Sequence, residues 1–310
     1  MQRREFTYPS ADGKTQIHAV EWKPDGDVCA ILQISHGMQE YIGRYDGFAQ
    51  FLTGHGFLVT GNDHLGHGAS VISEEEHGYF GEPDGNRYVI ADIHTLRAKT
   101  QAAYPDVPYL MLGHSMGSFL LRQYLTMYAG GLAGAVIMGT GAQPQAALTI
   151  GKLCCRLIGI FRGRHYRSSF VNNLAIGGYN KKFQPARTPN DWLTKDTAVV
   201  DAYCADPWCT FMFTVNAYYH MFRGIEAAQK GADRIPKTLP LLVASGADDP
   251  VGGFGTGVRE VYEGYQKSGM QDVSLRLYET DRHEILNETD RQTVYADILA
   301  WLKAKAFSRT

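Results

Sequence analysis

Cysteine is scarce in this chain of 310 residues: Cys29, Cys154, Cys155, Cys204 and Cys209 are the whole set, odd in number and irregular in spacing. That excludes a disulfide framework and a cysteine-rich zinc module, which need pairs at defined intervals, and points to a reducing compartment. No run approaches the roughly 18 apolar residues of a membrane span. The opening Met1-Gln2-Arg3-Arg4-Glu5-Phe6 places charge where a signal peptide needs an apolar stretch. The expectation is a soluble, cytoplasmic protein with no transmembrane segment. An excess of charge of one sign is missing too: the formal net charge is -2, so no global field draws in nucleic acid, and no nucleic-acid partner is expected. Proline is sparse, with 12 residues against 34 glycines, while hydrophobic residues make up 44 % and charged residues 20 %. Those proportions exclude collagen-like and disordered classes and allow a sizeable core.

What is present is an alternation of strand and helix patterns. Buried-strand runs at Val28 to Ser35, Phe57 to Gly61, Pro108 to Leu112, Leu132 to Met138, Leu239 to Ser245 and Val273 to Tyr278 are separated by helical patterns. The helices are expected at Arg44 to Thr53, Arg87 to Tyr104, about Ser115 to Tyr128, Gly257 to Ser268 and about Thr289 to Ala304. Short apolar strands joined by helices predict an α/β fold, a mostly parallel sheet covered on both faces.

The rhythm breaks between 141 and 236, where no clear strand pattern occurs. Residues 1–140 and 237–310 are therefore read as one core domain, and 141–236 as an inserted, mainly helical cap. Within it Leu148 to Phe161 reads as a helix with a narrow polar stripe, Thr149, Lys152, Arg156 and Gly159, and a wide apolar face that either packs into the protein or meets lipid. Residues 141–190 carry eight basic side chains and no Asp or Glu, a basic patch suited to transient contact with an anionic lipid surface.

Gly113-His114-Ser115-Met116-Gly117 fits G-x-S-x-G between a strand and a helix, the setting of a nucleophile elbow. The two glycines relieve crowding at a turn that lifts the Ser115 hydroxyl above the sheet, at a helix N-terminus that favours an oxyanion. A serine hydroxyl needs a histidine to take its proton and an acid to orient that histidine, in the chain order Ser, acid, His. Of the histidines downstream of Ser115, only His283 also follows a carboxylate set just after a core strand. The acid comes from Asp248-Asp249-Pro250; Pro250 holds the residue before it extended, which favours Asp249 and leaves Asp248 as the alternative. The oxyanion hole is expected from the backbone N–H groups of Met116, after the nucleophile, and Met38, in the loop following an early strand. The pair His64 and His67 lacks a third ligand and the helical spacing of a zinc site, and Gly252 to Gly257 lacks the lysine of a phosphate loop, so no metal and no cofactor are expected.

These residues resemble the serine hydrolases of the α/β-hydrolase superfamily, in the monoacylglycerol lipase and lysophospholipase group, which is related to serine aminopeptidases. The resemblance runs through His36-Gly37-Met38-Gln39-Glu40 to Arg44-Tyr45, then Asn62 to Ser70, the elbow, Asp249-Pro250-Val251-Gly252 and Arg282-His283-Glu284. It implies a triad of Ser115, Asp249 and His283, an oxyanion hole from Met38 and Met116, and a cap over an acyl pocket. The activity it implies is hydrolysis of a single-chain acyl ester, a monoacylglycerol or lysophospholipid, through an acyl-enzyme. Thioesterase, amidase or aminopeptidase chemistry is the alternative within the fold, and a ligand receptor or lipid-binding protein the alternative outside catalysis.

Overall fold

The computed structural model describes residues 1–307, so the last three residues of the expected core segment 237–310 lie outside the described residues. Eight strands form a single sheet: β1 (Gln2–Pro9), β2 (Gln16–Lys23), β3 (Ala30–Ser35), β4 (Phe57–Asn62), β5 (Tyr109–His114), β6 (Leu132–Met138), β7 (Leu241–Gly246) and β8 (Val273–Tyr278), in the order β1-β2-β4-β3-β5-β6-β7-β8. The first two pairings are antiparallel and every later one is parallel. Parallel neighbours need crossovers. Helices α1 (Asp46–Thr53), α2 (Gly85–Ala103), α3 (Met116–Tyr128) and α8 (Thr256–Lys267) provide four of them, and α9 (Arg291–Phe307) closes the chain.

The helices divide between the two faces. Val89 and Ile93 of α2, Leu121 and Tyr124 of α3 and Val258 of α8 pack with Ile31 and Met111 on one side. Phe48 and Leu52 of α1 and Val294, Ile298 and Leu302 of α9 pack with Leu32 and Leu112 on the other. Alternate residues of one strand thus face opposite cores, and strands β3 to β7 are buried throughout. Truncating a fully buried side chain such as Leu302 to alanine costs about 2 to 5 kcal/mol.

The structure adds two strands ahead of the series read from sequence. Strand β1, QRREFTYP, is an edge strand exposed along most of its length, so charge replaces the apolar alternation that marks a half-buried strand. Strand β2 does carry that signal, with Ile17, Ala19 and Trp22 buried.

Between β6 and β7 lie α4 (Gln145–Arg162), α5 (Ser169–Ile176), α6 (Thr197–Ala205) and α7 (Val215–Lys230). The expected polar stripe of α4 needs correction: Gly159 is buried, and the inward stripe is Leu148, Gly151, Cys155 and Gly159. These are mostly small because α7 approaches closely; a Cβ on Gly151 would sit 2.7 Å from the Phe222 ring. The bulky apolar residues Ile150, Leu153, Leu157, Ile160 and Phe161 point outward, Phe161 with 81 % of its surface exposed. Much of the basic patch is neutralised by neighbours. Lys152 pairs with Glu226, Arg164 with Glu82, Lys182 with Asp248 and Arg187 with Asp201, and residues 191–236 add six acidic against four basic side chains. Among the described residues, Arg156, Arg162, Arg167 and Lys181 have no ion pair.

Candidate active site

The loops that leave the C-terminal ends of parallel strands converge on one side of the sheet, where ligands of open α/β folds bind. Ser115 follows β5 directly, with φ 54° and ψ -123°, a left-handed conformation that a non-glycine residue adopts only when its surroundings force it. The surroundings are the two glycines of the elbow. A Cβ on Gly113 would meet the Gly117 carbonyl oxygen at 2.4 Å, and one on Gly117 would meet the Ser35 carbonyl oxygen at 2.0 Å. The elbow therefore stands only because both positions lack a side chain.

Asp249 lies after β7 and His283 after β8, both buried. His283 Nδ1 is 3.0 Å from Asp249 Oδ2. The carboxylate also accepts from the Ser245 hydroxyl at 3.0 Å and from the Val251 N–H at 2.8 Å. Burial pushes the Asp249 carboxyl up, but the His283 charge and these hydrogen bonds outweigh it and hold the group below the ordinary carboxylate range. Asp248, by contrast, is half-exposed and pairs with Lys182 at 2.9 Å. The geometry thus separates the two aspartates left open by the sequence. With Nδ1 bonded to Asp249, Nε2 is the nitrogen free to face the cavity that His283 shares with Ser115. The other downstream histidines are elsewhere: His165 stacks on Tyr79, and His220 is buried in α7 beside Asp84.

Met38 and Met116 line the same cavity, and among the described residues neither backbone N–H donates to a protein acceptor. The loop that carries Met38 is pinned from both sides. Gly37 N–H donates to Glu40 Oε1 at 2.5 Å, and His36 Nε2 accepts the His64 N–H at 2.9 Å. His64 and His67, the pair weighed as metal ligands, pack with His36 as a buried aromatic cluster. Burial lowers His64 to about 4 and His67 to about 3. Among the described residues no group of three metal-binding side chains is assembled.

Sequence reasoning missed a buried ionic network behind the site. Arg44 makes a two-pronged contact with Glu284, 2.7 and 2.8 Å, and reaches Glu40 at 3.0 Å. Glu40 Oε1 is 3.2 Å from His114 Nδ1, and the Tyr45 hydroxyl donates to it at 2.9 Å. His114 Nε2 lies 3.2 Å from the main-chain oxygen of His283. Burial pushes the His114 imidazole down, yet the hydrogen bond and charge of Glu40, helped by Glu284, hold it above its ordinary value. One network therefore ties together the loop of Met38, the elbow and the loop of His283. The partners stand as much as 240 residues apart, which spacing alone does not reveal.

The insertion completes the cavity. Leu148, Ala175, Ile176, Tyr179, Trp192, Met221, Phe222 and Ile225 line it with Phe119 and Val251 of the core, about 770 Å³ of space when the part open to solvent is counted. The lining is mostly apolar and also holds Ser115, His283, Gln39 and Gln143.

Residues 26–290 match the family described as "Serine aminopeptidase, S33". The chain belongs to that family. It is 28 % identical over 318 aligned residues to a monoacylglycerol lipase of Mycolicibacterium smegmatis, covering 97 % of each chain. It is 27 % identical to the monoglyceride lipase of Mus musculus, covering 94 % of this chain and 88 % of that one. A highly thermostable carboxyl esterase from Bacillus coagulans, solved in complex with glycerol, superposes with a TM-score of 0.92 at 29 % identity over 99 % of both chains. The fold is that of the α/β-hydrolases.

Proposed function

We propose that this enzyme, a hydrolase of carboxylic esters, cleaves monoacylglycerols through an acyl-enzyme on Ser115. The observation that carries the reading is the buried Asp249–His283 pair opening on the cavity that Ser115 shares with the apolar wall of the insertion. The Ser115 oxygen attacks the ester carbon as its proton passes to His283 Nε2, and the oxyanion accepts from the Met38 and Met116 N–H groups. Collapse breaks the ester C–O bond, and the imidazolium returns the proton to the departing glycerol oxygen. Water then attacks the acyl-enzyme by the same route, releasing the fatty acid and restoring Ser115. Residues 141–236 act as the cap that shapes the acyl pocket.

The lining favours a neutral headgroup. Among the described residues no Lys or Arg lines the cavity, so the phosphate of a lysophospholipid meets no cation from them there. Its two carboxylates, Glu40 and Glu284, are already paired with Arg44 and His114, so the ammonium of an aminopeptidase substrate meets no free anion. The relatives named for glycerol esters support the same choice. Transient contact with an anionic lipid surface is assigned to the outward face of α4, Ile150, Leu153, Leu157, Ile160 and Phe161, beside unpaired Arg156. Among the described residues no helix is long and apolar enough to cross a membrane. The five free cysteines support a cytoplasmic location.

The test is a panel of a monoacylglycerol, a lysophosphatidylcholine and an aminoacyl anilide of matched size, assayed with the natural chain and with Ser115→Ala. Monoacylglycerol is expected to give the highest kcat/KM, and Ser115→Ala to abolish turnover of all three. Turnover surviving in the variant, or preference for the anilide, overturns the proposal.

A further inference from the structure

Two aromatic rings lie against the imidazole of His283. His114, from the elbow, packs with ring centroids 4.6 Å apart. Trp192, from the segment between β6 and β7, stands 5.0 Å away and tilted by 37°. The indole is itself backed by the Tyr179 ring at 5.0 Å.

The main chain follows the same line of contact. The Trp192 carbonyl accepts the His283 N–H at 3.4 Å, and the Leu193 carbonyl accepts the Glu284 N–H at 2.7 Å. Arg282 donates to the carbonyls of Asp191 and Thr194. The Lys195 N–H donates to Glu288, and its ammonium pairs with Asp281 at 2.8 Å. Residues 191–195 are thus a strap stitched to the loop that carries His283. The strap has its own anchor, because the Asn180 side-chain oxygen accepts the Trp192 N–H at 3.0 Å. In the same region Lys182 holds Asp248, next to the acid, and lies over Phe254.

A histidine acting as base must keep one ring orientation while positive charge grows on it, since a misplacement of about 1 Å costs roughly 100-fold in rate. An indole face is electron-rich and attracts a cation centred within about 6 Å. We propose that Trp192 is a positioning residue: its indole face and carbonyl hold the His283 ring against His114 so that Nε2 stays aimed at the Ser115 hydroxyl. This rests on the reading of Ser115 and His283 as nucleophile and base. It gives the strap of the insertion a part in the chemical step as well as in shaping the pocket.

The experiment compares Trp192→Leu, which removes the aromatic face, with Trp192→Phe, which keeps one. The substrate is 4-nitrophenyl acetate, too short to need the acyl wall. Trp192→Leu is expected to lower kcat about 10- to 100-fold with KM little changed, and Trp192→Phe to restore most of it. In proton NMR spectra the downfield Nδ1–H signal of His283 should persist in Trp192→Phe and broaden in Trp192→Leu. If Trp192→Leu does not fold, Asn180→Ala loosens the strap without touching the cavity, and its kcat carries the test. An unchanged kcat, or a loss confined to KM, overturns the proposal. Ser115→Ala and His283→Ala run alongside: activity retained there refutes the triad, whereas activity lost there but kept in Trp192→Leu refutes only the role of Trp192.

Discussion

The cavity has two walls of different make. The core wall includes apolar Phe119 and Val251, but its polar residues Glu40, His114 and His283 are held by buried partners at hydrogen-bond distance, with Asp249 behind His283. The insertion wall consists of apolar side chains on helices, Leu148, Ile176, Phe222 and Ile225, which touch whatever lies in the cavity without fixing an atom of it. Hydrogen bonds fix direction, while apolar burial scales with area and tolerates changes of shape. On the proposed function, bond-making belongs to the core wall and the choice of acyl group to the insertion. The role proposed for Trp192 would carry the strap across that division.

The sharpest way to break the comparison is at the acid. Asp249→Asn removes the carboxylate that orients His283 and should lower kcat about 1,000- to 10,000-fold. Asp248→Asn removes only a half-exposed ion pair with Lys182 and should leave kcat within about twofold. Steady-state assays on a soluble ester check both, and equal losses in the two variants would remove Asp249 from its role.

A second test uses acid. His64 and His67 are held neutral by burial, with folded-state values of about 4 and 3 against 6.5 in the unfolded chain. The unfolded chain therefore binds more protons, and stability present above pH 6.5 is lost as pH falls from 6.5 toward 4. Urea titrations at stepped pH should show a slope of up to about 1.4 kcal/mol per pH unit for each imidazole. His67→Gln should flatten it, and a flat profile in the natural chain contradicts the assignment.

The two sides of the insertion part company next. The double change Ile160→Ser with Phe161→Ser should lower the rate on monoacylglycerol in anionic vesicles about tenfold while leaving a monomeric soluble ester untouched. Ile176→Ala, on the cavity side, should instead raise KM for long-chain esters about threefold, with short esters unaffected. Effects appearing on the wrong substrate in either variant would erase the distinction between the faces.

The core wall was far more legible in the sequence than the insertion. The elbow announces itself because its pattern is only five residues long and a strand and a helix flank it, although the demand for glycine at 117 comes from Ser35, far away in the chain. Pro250 marked Asp249 by local stereochemistry, again a short-range signal. The network of Glu40, Arg44, His114 and Glu284 left no such trace, since its members meet only through tertiary structure. The same holds for Trp192, whose importance comes from lying across His283 and not from its neighbours in the chain. For α4, the pattern gave a helix and left open whether its apolar face packs inward or meets lipid; it misplaced Gly159, because small residues, not large ones, let α7 approach. The first strand was missed because an exposed edge strand need not alternate.

The most direct measurement is peptide mapping after reaction of the folded protein with a long-chain alkyl fluorophosphonate, which forms an oxygen–phosphorus bond at an activated serine and expels fluoride. The account predicts one adduct, on Ser115, suppressed by competing monoacylglycerol and lost in His283→Ala. An adduct on a different residue, or none on protein that still hydrolyses esters, contradicts it.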